Sequence, residues 1–398
     1  MRFFMQMGHG MMAMNRELLG NFASGTDSGV IIWPRTLEPD QIVRHSQEVR
    51  DLGASLLYDS CFYLPYTNRP KILSPPYWDG VDFSTTDFTG QQGIDFCLRV
   101  IDYQIETLHV TELLLPGRYT NVRNDDWLQM HGNFSAAVAN LGLDIPLYAT
   151  IALGPDLISD IASFDAVINE VVNYPVSGVY FVYHPPRAAY ICNDDLFLNN
   201  LLSALLSLSI AGKNVILGYA NQQDLFFAAA GVETIATGNF RNVRSFDPSI
   251  FDEEEENDRQ RAIWYYDGQS LCEFRLQQLG LAYQRLGMRG IFGPESQYSQ
   301  DMLRSPNPAN VRWPEPNAFK HYISVLRDQW LSFERLRRSD RHEGVRQLLL
   351  SASQHITSYQ NQGMQIVDRA ADTVGAFPAW LSAMGSFIAS EAPRIANL

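Results

Sequence analysis

Five arginines and one aspartate follow short apolar runs of this sequence. The arginines are Arg35, Arg118, Arg187, Arg241 and Arg244. The aspartate is Asp59, which opens the segment DSCFY after an apolar run. Guanidinium groups bind phosphate and carboxylate groups bidentately, and a carboxylate among apolar neighbours can act as a general base near neutral pH. The sequence therefore indicates a site for an anionic ligand, with Asp59 as the candidate catalytic residue.

Three more polar residues in similar positions complete the set of ligand-binding candidates. They are His184, Asn221 and Gln222. The histidines lack HxH or HExxH spacing, and the four cysteines are too far apart in sequence for a zinc knuckle. We therefore predict no metal site, and the sequence leaves any cofactor unknown.

An ordinary structural interpretation of these residues stays open beside the functional one. Arginines are common on protein surfaces and often pair with carboxylates, and Asp59 could cap a helix or pair with an arginine. Glu112 opens its apolar run rather than closing it, so we expect it at the opposite end of the sheet.

Apolar runs and helical patterns alternate along most of the chain. Helical patterns over 94–108, 125–141, 158–172 and 196–210 each lead into a further apolar run. Strands that are apolar on both faces and alternate with helices form parallel sheets covered by helices. Eight runs, of which the last is 263–266, match the number in a TIM-like (β/α)8 barrel, with 3–7 and 290–292 left over. An open doubly wound sheet is the alternative, but no GxGxxG follows a strand.

The stretch 212–246 shows one such unit complete. An apolar run at 215–218 leads to Asp224, which can cap a helix over 225–230 that ends at Gly231. A strand at 235–237 and a basic turn follow.

The composition changes near residue 306. Four prolines between 306 and 316 mark a boundary, and 321–350 and 351–372 have helical patterns with no strand between them. We therefore divide the α/β chain into a barrel, 1–305, and a helical C-terminal extension, 306–398. Leu326, Trp330 and Phe333 lie at helical spacing, which predicts an apolar stripe that packs on the barrel or binds a protein partner.

Charge limits the classes of function. The 398 residues include 30 basic and 44 acidic ones, a formal charge of −14, which argues against non-specific nucleic-acid binding over the whole surface but not against a local basic pocket. The acidic run 252–256 predicts a solvated loop. The N-terminal segment has neither the apolar run of a signal peptide nor that of a membrane span, so we expect a cytoplasmic protein with no membrane partner.

Three segments resemble the tRNA-guanine transglycosylase barrels and their DNA-modifying relatives. They are DSCFY at 59–63, GYANQQDLFFAAAGVETI at 218–235 and TGNFRNVR at 237–244. The resemblance covers about residues 1–292 and implies a transferase that exchanges or processes a base, with tRNA, DNA or a nucleotide as ligand. It matches Asp59 to the aspartate of a DSGGF-like strand end. The family's nucleophilic aspartate falls on Ala236, and its cysteine-rich zinc site has no counterpart after Cys192 except Cys272.

Two hypotheses follow. In the first, the chain is an enzyme in which Asp59 is the base while Arg241 and Arg244 hold the anion. In the second, it is a catalytically inactive barrel that serves as a subunit or recognition module of a complex, docked through its C-terminal helices. Ala236 favours the second, and the arginines with the aromatic loop after Asp59 favour the first. We expect one cavity to be surrounded by Arg35, Asp59, Arg118, His184, Asn221 and Arg241.

Overall fold

Eight of the nine parallel strands of the main sheet form the centre of the molecule and almost close into a barrel. The computed structural model describes residues 1–22, 27–252 and 262–398. The strands of the main sheet are β1 (Arg2–Gln6), β2 (Ser28–Ile32), β3 (Ser55–Tyr58), β4 (Leu113–Leu114), β5 (Tyr119–Thr120), β6 (Leu147–Leu153), β7 (Gly178–Tyr183), β8 (Asn214–Leu217) and β9 (Thr234–Thr237). Their order is β3-β2-β1-β9-β8-β7-β6-β4, and the short β5 pairs with the far end of β6. The amide of Thr111, just before β4, donates to the carbonyl of Leu56 on β3 over 3.0 Å. The two ends of this order, β3 and β4, therefore meet. The predicted (β/α)8 barrel is confirmed.

Helices connect the strands in the predicted alternation. They are α1 (Met12–Asn21), α2 (Pro39–Asp51), α3 (Gln91–Asp102), α4 (Asp125–Ala139), α5 (Pro155–Ser159), α6 (Ile161–Val172) and α7 (Asp195–Ile210). A π-helical turn, Tyr103–Leu108, continues α3. Side-chain caps fix several helix starts; for example, Asp194 accepts from the amide of Phe197 over 3.0 Å.

The segment between β8 and β9 is a helix of a different kind from the one predicted. It is a buried 3₁₀-helix, Gln222–Ala230, with Asn221 as its N-cap and the Asp224 side chain bonded back to the Asn221 amide over 2.6 Å. Gly231 ends it with φ at 79°, a conformation that glycine adopts without steric cost.

The strand predicted at 263–266 does not belong to the barrel. β10 (Trp264–Asp267) pairs antiparallel with β11 (Cys272–Arg275) in a separate two-stranded sheet. The eighth barrel strand is β1, between β2 and β9. Both segments are short and rich in aromatic or apolar residues, so their local patterns do not distinguish a barrel strand from a hairpin. Asp267 therefore lies in the hairpin, buried and bonded to Ser270, rather than at the barrel rim.

The C-terminal part of the chain contains five α-helices and three short 3₁₀-helices. They are α8 (Leu276–Arg285), α9 (Gln300–Arg304), α10 (Glu315–Ser332), α11 (Arg341–Asn361) and α12 (Arg369–Ile395). Residues 306–398 thus form three long helices where two were predicted. No helix of the described ranges is long and apolar enough to cross a membrane. Apart from Asp252, the acidic run 252–256 lies outside the described residues.

The apolar stripe of α10 packs on the barrel. Leu326, Trp330 and Phe333 are buried, and the indole nitrogen of Trp330 donates to the carbonyl of Arg2 on β1 over 2.9 Å. On α12, the indole nitrogen of Trp380 donates to the carbonyl of Cys192 over 2.9 Å. The stripe is therefore buried against the barrel and is not a free surface. A protein partner of the C-terminal helices stays a prediction, but the stripe does not support it.

Glu112 lies at the N-terminal end of the barrel, as expected. Its two carboxylate oxygens accept from Arg2, at the start of β1, over 2.8 Å each.

Candidate functional site

A pocket of about 1140 Å³ lies outside the C-terminal end of the barrel. Its walls come from residues 238–252, which we call the segment after β9, from the β10–β11 hairpin and from the first turns of α10 and α12. The arginines that line it are Arg35, Arg69, Arg241, Arg244, Arg275 and Arg369. The carboxylates that line it are Asp247, Glu273 and Glu315. Among the described residues that line it, basic side chains thus outnumber acidic ones, although the whole chain carries a formal charge of −14.

Arg241 is the most available of these cations. Its side chain is exposed, one guanidinium nitrogen donates to the carbonyl of Ala188 over 3.1 Å, and its guanidinium carbon lies 5.5 Å from the ring centre of Tyr190. Within the described part of the chain it forms no ion pair. A carbonyl and a ring hold the guanidinium in place without neutralising its charge.

Arg244 is buried and has structural partners. Its Nε donates to the carbonyl of Gly238 over 2.8 Å and one Nη to Glu273 over 3.2 Å. The guanidinium carbon lies 3.4 Å from the ring centre of Tyr322 on α10. Arg244 therefore ties the segment after β9 to the hairpin and to α10.

Glu273 is shared between two arginines. Besides Arg244, it accepts from Arg369, the first residue of α12, over 3.2 Å to each carboxylate oxygen. The carboxylate is almost fully buried, whereas the Arg369 side chain is 32% exposed. Because one carboxylate faces two guanidinium groups, a positive charge remains at this wall.

Arg35, which follows β2, also lines the pocket. It is buried, its Nε donates to the carbonyl of Ile250 over 2.9 Å, and its guanidinium carbon lies 5.4 Å from the ring of Trp33. It holds the segment after β9 against the end of β2.

Asp59 lies deeper, at the end of β3 inside the barrel mouth. It is 4% exposed. It accepts from the hydroxyl of Tyr63 over 2.7 Å, from the amide of Cys61 over 2.8 Å and from the hydroxyl of Tyr219 over 3.4 Å. Burial raises the pKa of Asp59 to about 6, although the three hydrogen bonds act to lower it. A carboxyl with this pKa can accept or give a proton near neutral pH.

Two phenylalanines of the segment after β9 cover Asp59. The ring of Phe246 lies 5.0 Å from Tyr63 and 5.2 Å from Tyr219, and that of Phe251 lies 4.7 Å from Tyr63. Phe246 also lines the pocket, whereas Asp59 does not. We call these two rings the aromatic lid, because they pack on the tyrosines that donate to Asp59.

Arg118 and His184 also lie away from the pocket. Arg118 packs its guanidinium 4.0 Å from the ring centre of Phe62 and donates to the carbonyl of Leu64; burial lowers its pKa to about 9. The Nδ1 of His184 is 3.4 Å from the hydroxyl of Tyr119, and burial lowers its pKa. The predicted single cavity is therefore wrong: Arg35 and Arg241 share the pocket with Arg244, while Asp59, Arg118 and His184 do not line it.

Asn221 and Gln222 are buried next to the pocket wall rather than facing its interior. The Asn221 amide donates to the carbonyls of Tyr190 and Arg244, over 3.0 and 3.1 Å. The Gln222 side-chain oxygen accepts from the hydroxyls of Tyr190 and Tyr322, over 3.3 and 3.0 Å. Both residues hold Tyr190 in position. Arg187 is exposed and does not line the pocket.

Sequence reasoning missed several charged and aromatic residues of the pocket. The residues concerned are Arg69, Trp264, Glu273, Arg275 and Arg369. The hairpin was assigned to the barrel and Arg369 to the extension, so nothing in their local patterns placed them together. The aromatic and charged residues at the two ends of 264–275, WYYD and EFR, were the signal that could have identified this wall.

Two comparisons with known proteins found no relative of this chain. No protein-family model matches the sequence, and no curated protein matches it. In the described ranges, no three histidine, cysteine or acidic side chains are grouped so that they could hold a metal ion.

Proposed function

We propose that the pocket outside the barrel mouth binds the phosphate-bearing part of a nucleotide or of a nucleic-acid chain. The observation that carries this proposal is the excess of arginine over carboxylate among the described residues that line one large pocket of an acidic protein. Arginine forks match phosphate oxygens in geometry as well as in charge.

Aromatic side chains in the same pocket favour a ligand that carries bases. Phe240, Trp264 and Phe319 line it and are half-buried. Bases that are not stacked in a duplex bind against aromatic rings and guanidinium planes. An inorganic anion or a small carboxylate would leave these surfaces without a function.

Replacing Arg241 with alanine tests the proposal. The substitution removes an exposed guanidinium that has no carboxylate partner among the described residues, so folding should be unaffected. Loss of one charged hydrogen-bonding group should weaken ligand binding by about 1.5 to 3 kcal/mol. The measurement is a titration with nucleoside phosphates and short oligonucleotides at two salt concentrations.

Arg337→Ala is the matched control, since this exposed arginine pairs with Asp340 and does not line the pocket. It should bind like the wild type. If the wild type binds none of these ligands, the proposal is wrong.

Two hypotheses on catalysis accompany the binding proposal. A base-exchange or base-processing enzyme related to the transglycosylases would use Asp59, and its pKa of about 6 supports this role. A catalytically inactive recognition module is supported by Ala236, a buried methyl side chain where the resemblance places the nucleophile, and by the aromatic lid over Asp59. Incorporation of labelled base into tRNA or DNA by the wild type, lost in Asp59→Asn, would favour the enzyme; no incorporation by the wild type would favour the module.

A further inference from the structure

Three solvent-accessible arginines that line the pocket alternate with two aromatic rings: Trp264, which also lines it, and Tyr190, which is buried and does not. The guanidinium carbons of Arg241 and Arg369 lie 5.5 and 5.7 Å from the ring centre of Tyr190. Those of Arg369 and Arg275 lie 4.4 and 5.2 Å from the ring centre of Trp264. We call these five side chains the arginine row. It joins the segment after β9, the start of α12 and the hairpin.

The backbone fixes the order of the row. Trp264 and Arg275 are direct cross-strand partners in the hairpin, and Arg369 is the first residue of α12. Tyr190 is held by Gln222 through its hydroxyl and by Asn221 through its carbonyl. The row is therefore assembled before any ligand arrives, which reduces the entropy that binding would cost.

In the described part of the chain, the carboxylates that pair with the row are Glu273 and Asp368, two for its three arginines, and Glu273 is shared with Arg244. Arg241 has no carboxylate partner in the described residues. Arg369 shares Glu273 with the buried Arg244. Arg275 pairs with Asp368 over 3.2 Å, but both side chains are more than a third exposed, and such a pair contributes little and is easily exchanged for another anion.

We propose that the arginine row binds successive phosphodiester groups of a single-stranded nucleic acid. This inference rests on the proposed function and names the class of ligand. Guanidinium groups that lie against rings direct their N–H groups outward, where phosphate oxygens can accept. A single phosphate contacts one or two of these groups, whereas successive phosphates of one strand can occupy all three.

A single strand fits this wall better than a duplex does. Beside the row, Phe240 and Phe319 line the pocket with their rings 4.8 Å apart in an edge-to-face pair. Such rings contact bases only where the bases are unpaired and accessible. A basic groove beside aromatic side chains is the general form of single-strand binding sites.

The test is a length series measured by fluorescence anisotropy. The probes are labelled oligo-dT and oligo-U of one, two, four and eight nucleotides and an eight-base-pair duplex, at several salt concentrations. Affinity should rise from one to four nucleotides, and the duplex should bind more weakly than the strand. Arg275→Ala should weaken binding of the octamer several-fold and leave the mononucleotide unchanged. It should reduce the slope of log K against log salt by about 0.7, the value for one phosphate contact on a single strand.

Arg337→Ala again serves as control, because it removes the same charge and also leaves an exposed aspartate, Asp340. It should match the wild type at every length. Mononucleotide binding that depends on Arg241 but does not increase with length, or an Arg275→Ala variant that binds the octamer normally, would overturn the single-strand inference and leave the proposed function standing. If the wild type binds no nucleotide or oligonucleotide, the proposed function fails and this inference fails with it.

Discussion

Asp59 combines deep burial with three hydrogen-bond donors, and its pKa shows which effect is larger. An unfolded aspartate has a pKa of about 3.9, whereas burial raises that of Asp59 to about 6 in the folded protein. Between these values the unfolded chain has lost its proton and the folded chain keeps it. The free energy of unfolding must therefore fall as the pH rises from about 4 to about 6, by roughly 2 to 3 kcal/mol from this residue.

Asp59→Asn should remove this part of the pH dependence. Urea unfolding at pH 4, 5.5 and 7 gives the free energy of both proteins, and the wild type should lose about 2 to 3 kcal/mol relative to the variant over that range. Asp224, whose pKa burial raises to about 7, titrates in both proteins and cancels in the difference. A constant difference between the two proteins would show that Asp59 is not desolvated as described.

The sequence predicted where single residues lie along the fold better than it predicted which side chains they contact. Asp59, Arg35 and Arg241 do follow barrel strands, because strand ends can be located from apolar runs. The contacts of Arg118 with phenylalanines could not be predicted, since they depend on how the long loop after β3 folds back. The same holds for Glu273 and Arg369, which meet only through the packing of α12 on the hairpin.

The segment after β9 has two faces with different roles. Its phenylalanines pack on Tyr63, which donates to Asp59, while Arg241 and Arg244 line the pocket. If the aromatic lid causes the desolvation of Asp59, then Phe246→Ala should lower the pKa of Asp59 towards the ordinary value. Carbon-13 NMR of the aspartate carboxyls measures this shift. The substitution should also cost about 3 to 5 kcal/mol of stability, as is usual for a buried phenylalanine.

Phe387→Ala separates the two effects. Phe387 is fully buried on α12, so its loss should destabilise the protein by a similar amount and leave the pKa of Asp59 unchanged. Phe246→Leu offers a milder change should the alanine variant fail to fold. An unaltered Asp59 pKa in a folded Phe246 variant would assign the desolvation to the barrel itself.

The predictability of the elements followed their length. Long helices with a cap and a periodic pattern, such as α4 and α7, were located within a few residues. Short strands were not all assigned correctly: β1 and β10 have similar patterns, and only pairing with β2 and β9, or with β11, distinguishes them. The segment Gln222–Ala230 was predicted as a helix, but its apolar pattern did not show that the helix is of the 3₁₀ type and buried along its whole length.

At the scale of the molecule, the C-terminal helices complete the barrel's packing. Trp330 and Trp380 donate to the carbonyls of Arg2 and Cys192, and Arg341 pairs with Glu233, just before β9, over 3.0 Å. Buried contacts of this kind connect the extension to both early and late parts of the barrel. A sequence boundary rich in proline therefore marks a change of secondary structure, while the core continues across it.

This continuity predicts one cooperative unfolding transition for the whole chain. Far-UV circular dichroism follows the helices, many of which lie in the extension, and near-UV circular dichroism follows buried aromatic side chains in both parts. The two thermal transitions should coincide, because neither part keeps its buried apolar surface covered without the other.

A chain ending at residue 313 would expose the surface that Trp330 covers at β1, so it should show no sharp near-UV transition and should associate through that surface. Two separate transitions in the full chain, or a sharp transition in the shortened one, would mean that the barrel is stable by itself and that the arginine row joins two independently folded parts.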